Sequence, residues 1–351
     1  MSRWKYRIGV PAAVAVVAVA AAAVTPSLSS AQDPLLEPLS PTQLVAAMLG
    51  APRQQYQGEL TISSNLLGPD ASLVSTLGQQ VPLPQGTSTV MVYRGEGPNL
   101  RLQVLDQQSE RDIYVTSQGA WVWTSMGEKA LFVAPEAAGT TSGVDAQWNP
   151  TEVADRLVES LQPSSRLSLG QSTYVGGQPS YQLVLTPLTP GSTVASVQIF
   201  VDAHTYQVLG VQVRSVYSST PVLAMMYTSF STTAPAATVF DFTPPPGATV
   251  TRTTASALAA RWDPTRAPGT TTLGHGWDAV SVVPAAAWSS FASHLSAKVL
   301  QELEQPVTVA GQTMSLVHTG LVNALVLPDG RVLVGLVRAA VLKSDAALVG
   351  G

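Results

Sequence analysis

The sequence predicts an α+β protein: an antiparallel sheet covered by short helices, followed by a small C-terminal α+β unit. Three observations predict it. Apolar and polar residues alternate with period two through much of residues 56–240, the pattern of strands with one dry and one wetter face. Two segments with helix-start chemistry interrupt this pattern, at Ser40 and at Asn149. A proline- and threonine-rich stretch after Phe242 then separates a second, shorter alternating region.

In chain order, Arg3, Lys5 and Arg7 precede an uncharged apolar run of 17 residues from Ile8 to Val24. That order matches a secretory signal segment, and Ser29-Ser30-Ala31 offers small residues for cleavage after Ala31. The other reading is an uncleaved anchor, against which the run is short and alanine-rich for the ~20 apolar residues of a span. Either way the remainder is expected outside the cytoplasm, secreted or in the cell envelope. No Arg-Arg pair precedes the run, which favours the general secretory route. Removing residues 1–31 takes away three of 18 basic residues and none of 22 acidic ones, leaving a net charge of −7. No basic run follows, so nucleic acid is not an expected partner. The chain has no cysteine, so it must be held by its core rather than by disulfides.

After a proline-rich lead-in, Ser40-Pro41-Thr42-Gln43 combines a capping serine, a proline at the first helical position and a glutamine to close a capping box. Leu44, Val45, Met48 and Leu49 follow, and Gly50 and Pro52 end the helix. Alternation begins near Tyr56: Leu60-Thr61-Ile62-Ser63, Leu100 to Val104, Trp121 to Thr124, Tyr181 to Leu183, Val197 to Ile199, Val211 to Arg214. Glycine-rich turns at Gly95–Pro98, Ser117–Gly119 and Gly176-Gly177, and a corner at Asp202–His204, separate them. Short spacings favour an antiparallel meander. Asn149-Pro150-Thr151-Glu152 repeats the capping logic, with Val153, Leu157, Val158 and Leu161 at helical spacing and Pro163 as terminator. The segment from Asn65 to Ser88 has little sheet pattern, yet holds Leu73, Leu77 and five other aliphatic residues. It reads either as a lid over an apolar groove or as a short helix packed on the sheet.

The sheet region closes with Phe240-Asp241-Phe242 and Pro244-Pro245-Pro246. Residues 251–272 read as a linker. In the last unit, Trp277 to Val283 reads as a strand and Ala285 to Glu304 as a helix carrying Trp288, Phe291, Leu295 and Val299. Leu321–Leu327 and Arg331–Val337 form a hairpin around Pro328-Asp329-Gly330, before a last short helix through Val341 and Leu342.

Catalytic patterns are missing. There is no Gly-x-Ser-x-Gly elbow, and thiolate chemistry is impossible. His204, His275, His294 and His318 are never spaced as a local metal pair. Asp202 with His204 reads as a turn, and His275 as a loop residue. No enzymatic activity, metal or cofactor is expected. Two apolar features go beyond a plain core: the pair Trp121 and Trp123, whose other reading is simple core packing, and the Asn65–Ser88 segment.

Several stretches together carry a family resemblance: Tyr56-Gln57-Gly58, Asn99-Leu100-Arg101-Leu102, Asn149-Pro150 leading into Ala154-Asp155-Arg156-Leu157, Val175 to Leu183, Val201-Asp202-Ala203 and Phe242-Thr243-Pro244-Pro245. In order and spacing the chain resembles the LolA-like superfamily, which holds outer-membrane lipoprotein carriers and RseB-type regulators. The resemblance covers about residues 41–250 and is greatest to a secreted branch with a C-terminal extension. It implies an unclosed antiparallel β half-barrel over residues 32–250, with an apolar concave side covered by helices. The extra unit, 273–351, and the long Asn65–Ser88 segment depart from the carrier pattern. The implied function is non-catalytic binding of lipid or lipoprotein acyl chains. The other implied role is an RseB-like sensor that binds a membrane protein such as an anti-sigma factor. The expected lining is Met48, Leu49, Leu60, Ile62, Trp121, Trp123, Leu157 and Leu161, with Leu73 and Leu77 on the lid.

Overall fold

The computed structural model describes residues 33–66, 85–105, 110–135, 150–257, 263–293, 301 and 303–349. Helix α1 spans Pro41–Gly50. The Gln43 amide donates to Ser40 Oγ at 3.2 Å and the Ser40 amide donates to Gln43 Oε1 at 2.8 Å, the reciprocal capping box that the residue order predicts. Strands β1 (Tyr56–Asn65), β2 (Gln85–Arg94), β3 (Leu100–Leu105), β4 (Glu110–Thr116), β5 (Gly119–Thr124) and β6 (Lys129–Ala134) follow. Helix α2 (Pro150–Leu161) interrupts them. Then come β7 (Ser165–Leu169), β8 (Thr173–Val175), β9 (Gln178–Pro187), β10 (Val194–Asp202), β11 (Val208–Ser215), β12 (Pro221–Ser231) and β13 (Thr249–Thr254).

These strands form one 13-stranded sheet in the order β13-β6-β5-β4-β3-β2-β1-β12-β11-β10-β9-β7, with β8 beside β9. Its first and last strands do not meet, so the half-barrel is unclosed. Every pairing is antiparallel except β13 with β6. The long closure is β1 against β12, which joins the two meanders across about 170 residues and contains a bulge at Glu59/Leu60. Asp202 turns the β10–β11 corner: its Oδ1 accepts from the amides of His204 and Thr205 at 2.8 and 2.7 Å. That is the turn role expected of it.

A second sheet holds β14 (Thr271–Leu273), β15 (Val280–Val283), β16 (Glu304–Val309), β17 (Gln312–His318), β18 (Asn323–Val326) and β19 (Val332–Gly335). Their order is β14-β15-β19-β18-β17-β16. Helix α3 (Ala285–Ala292) lies between β15 and β16, and α4 (Ala339–Val349) follows β19. Three readings change here. Residues 249–254, at the start of the expected linker, are a strand of the large sheet. Trp277 sits in a 3-10 turn, Gly276–Asp278, and only Val280–Val283 is extended. The helix expected over 285–304 is helical at Ala285–Ala292 and at Gln301 and Leu303, whereas Glu304 opens β16; Leu295 and Val299 lie outside the described residues.

The two sheets meet along a hydrogen-bonded seam. The loop between β9 and β10 reaches into the second unit: the Thr193 amide donates to Leu336 O at 2.9 Å, Thr193 Oγ1 donates to Leu321 O at 2.5 Å, and the Arg338 amide donates to Gly191 O at 2.8 Å. Trp277 Nε1 donates to Ser165 Oγ at 2.7 Å. Trp277, Leu321 and Leu336 are buried in the same apolar core as α1, α2 and β9–β11.

Candidate functional site

The strand register decides which side chains can act together. One row runs Leu183, Ile199, Val211, Met225, Ile62 across β9, β10, β11, β12 and β1. A parallel row runs Val92, Leu102, Ile113, Val122, Leu131 across β2 to β6. Directly paired residues project to the same side, so these rows belong to one face, called inner below. The helices lie on this face. Leu44, Val45 and Met48 of α1, and Ala154, Val158 and Leu161 of α2, are buried in one core with Leu183, Leu185, Val197 and Ile199.

Next to that core, on the same face, lies a second apolar cluster. It contains Leu60, Val90, Val92, Leu102, Val104 and Ile113, with Ile62, Val122 and Leu131 partly buried against it. No side chain of α1 or α2 takes part in it among the described residues. At one end stand three rings: Tyr56 and Tyr227 at 6.0 Å, Tyr56 and Phe230 at 5.2 Å, Tyr227 and Phe230 at 5.2 Å.

The expected lining residues therefore divide. Met48, Leu157 and Leu161 join the helix-covered core, and Leu60 and Ile62 the neighbouring cluster. Leu49 is a correction: it is 41% exposed and turned away from the core, because helical geometry aligns Met48 with Leu44 and Val45 and rotates the next residue outward. Trp121 and Trp123 are a second correction. The row Tyr93, Arg101, Tyr114, Trp121, Phe132 runs across β2 to β6 on the opposite, outer face. Period two reveals which residues of one strand share a face, while the phase between strands comes from register. Leu73 and Leu77 lie outside the described residues.

On the outer face the tryptophans form an anchor for the chain that crosses it. Phe242 stacks on Tyr114 at 4.7 Å and lies 5.7 and 6.1 Å from Trp121 and Trp123. Beneath, Arg101 Nη2 donates to Asp112 Oδ2 at 2.7 Å, Tyr114 donates to the same oxygen at 2.7 Å, and the Arg101 guanidinium lies 4.9 Å from the Tyr114 ring. Burial pushes the Asp112 carboxyl above its usual range despite these donors, and raises the Tyr114 phenol as well. On α2, burial together with Glu152 and Glu159, opposed by Arg53, pushes Asp155 up to about 6.

Among the described residues, no group of three or more His, Asp or Glu could hold a metal ion, and no helix is long and apolar enough to cross a membrane. An open depression of about 510 Å³ lies on the second sheet, lined by Glu304, Met314, Leu327 and neighbours, apart from the inner face.

No family model and no curated protein matches the sequence. Solved structures do. A crystal structure of MucB in complex with MucA(peri) is 14% identical, with a TM-score of 0.46, covering 86% of this chain and 95% of that one. The Pseudomonas aeruginosa MucA/MucB complex is 14% identical, with a TM-score of 0.44, covering 86% and 94%. A LolA superfamily protein from Nitrosomonas europaea is 11% identical, with a TM-score of 0.26, covering 58% and 99%. The solved structures to which the chain is similar thus include LolA-superfamily and MucB proteins.

Proposed function

We propose that this chain is an extracytoplasmic, non-catalytic binding protein for lipid or lipoprotein acyl chains, held against the inner face of the half-barrel. The observation that carries this reading is the second apolar cluster around Leu60, Val90 and Leu102, which continues the inner face where no side chain of α1 or α2 joins it among the described residues. Each methylene buried against such a surface is worth ~0.8 kcal/mol, so a chain of a dozen carbons has enough apolar area to be retained. The elements of the site are Leu60, Ile62, Val122 and Leu131 on strands, with Met48, Leu157 and Leu161 at the helix-covered border. Native mass spectrometry of protein purified without detergent, followed by titration with a fatty-acyl probe, tests the reading. A lipid adduct or saturable probe binding is the expected result. Protein that carries no lipid and ignores the probe refutes it.

A second reading, an envelope regulator that binds a membrane protein, draws on the two-unit layout and its seam at Thr193 and Leu336. Capture of a single-pass membrane protein, lost on substituting seam residues, would separate this role from simple carriage.

A further inference from the structure

Arg94 ends β2 on the inner face, directly opposite Tyr56. It is only 6% exposed, and no ion pair to it forms among the described residues. Its charge acts on Tyr227, which is 3% exposed and has the Tyr56 hydroxyl as its hydrogen-bonding neighbour. Two glycines shape this corner. A Cβ on Gly58 would lie 3.0 Å from the Tyr227 ring, and one on Gly176 would lie 3.0 Å from Phe230 and 3.2 Å from Tyr227. The corner is thus a closely packed, ring-walled end of the apolar cluster that holds a guanidinium and a phenol.

A buried cation left without a counter-charge is costly. Both groups here are hydrogen-bond donors, and a guanidinium matches the two oxygens of a carboxylate or phosphate in a bidentate fork. Burial holds the Tyr227 phenol well above its usual range, so it stays protonated and able to donate. Two donors and one positive charge at the end of an apolar surface complement one chemistry: an oxyanion on an alkyl chain.

We propose that Arg94 and Tyr227 form an oxyanion subsite that receives the carboxylate or phosphate head of an acyl amphiphile whose tail lies on the Leu60–Leu102 cluster. The subsite rests on the acyl-binding reading above and adds the class of head group to it.

The test is calorimetric titration of the full chain with dodecanoate, dodecyl phosphate and dodecanol, below their aggregation limits. Wild type binds at least one anion at least ~10-fold more tightly than the alcohol, a difference of about 1.4 kcal/mol; the tighter anion identifies a carboxylate or a phosphate head. Arg94→Met abolishes that preference and keeps the affinity for dodecanol, while Arg94→Lys retains part of it. Tyr227→Phe reduces the preference several-fold and carries the test alone if the arginine variants fail to melt as folded protein. Equal wild-type affinity for alcohol and anions, or an unchanged preference in Arg94→Met or Tyr227→Phe, overturns the subsite and leaves acyl binding standing. Failure of all three amphiphiles to bind overturns both.

Discussion

Asp155 on α2 should make the protein less stable at neutral than at mildly acidic pH, and Asp155→Asn should remove that penalty. The carboxyl is pushed from 3.8 up to about 6, first by burial and then by Glu152 and Glu159, each about one helical turn away. Arg53 opposes this only in part, because its guanidinium is paired with Glu152 at 2.5 Å. The Oδ1 atom of Asp155 is buried without a hydrogen bond. A folded-state value above the unfolded one means that the folded chain binds more protons between about pH 4 and 6. This contribution to stability is therefore complete below pH 4, is lost as pH rises through 6, and stays lost above. A shift of this size corresponds to about 3 kcal/mol at ~1.4 kcal/mol per unit. The side chain is partly open to water, which reduces the expected effect to about 1–2 kcal/mol. Urea denaturation followed by tryptophan fluorescence, at pH 4 and pH 7.5, measures it. The asparagine variant should match wild type at pH 4 and exceed it by about 1–2 kcal/mol at pH 7.5. An equal difference at both pH values, or a less stable variant at pH 7.5, refutes the reasoning.

Two further perturbations follow from the outer face and the β1–β12 closure. Arg101→Met leaves the Asp112 carboxylate buried with only the Tyr114 hydroxyl, and should cost about 3 kcal/mol at pH 7. Because the freed carboxyl then protonates more readily, the loss should shrink at pH 5, and a pH-independent loss would count against it. Gly58→Ala places a methyl hard against the Ser229 carbonyl oxygen and the Tyr227 ring, so it should cost about 1–3 kcal/mol by overpacking. Gly50→Ala, with nothing within 4 Å, is the control, and similar melting points for the two variants would contradict the close approach.

The helix starts were the most legible part of the sequence, because capping is local chemistry. Ser40, Pro41 and Gln43 specify α1 within four residues, and no distant partner is needed. Strand existence was legible for the same reason at Leu60–Ser63 or Trp121–Thr124, where alternation is a property of the strand itself. The face each strand presents was not, because it is set by pairings such as Tyr114 with Trp121 between residues on separate strands. This is why Trp121 and Trp123 read as cavity lining and stand on the outer face, packed around Phe242. Residues 251–254 read as linker because their Thr/Arg sequence carries no apolar alternation, and in the strand Thr249–Thr254 most of them are exposed. Their strand is paired with β6. Arg94 and Tyr227 escaped notice because neither belongs to a motif; their burial at the end of the inner-face cluster comes from strand pairing.

The seam between the sheets also sets a schedule. Leu44, near the start of the described chain, and Leu336, near its end, belong to one core, and β1 waits for β12 before the large sheet is continuous. Contacts of such high sequence separation form slowly, because loop closure must be paid for before they reward it. A nascent chain of this sequence therefore cannot complete that core until nearly all of it has been synthesised.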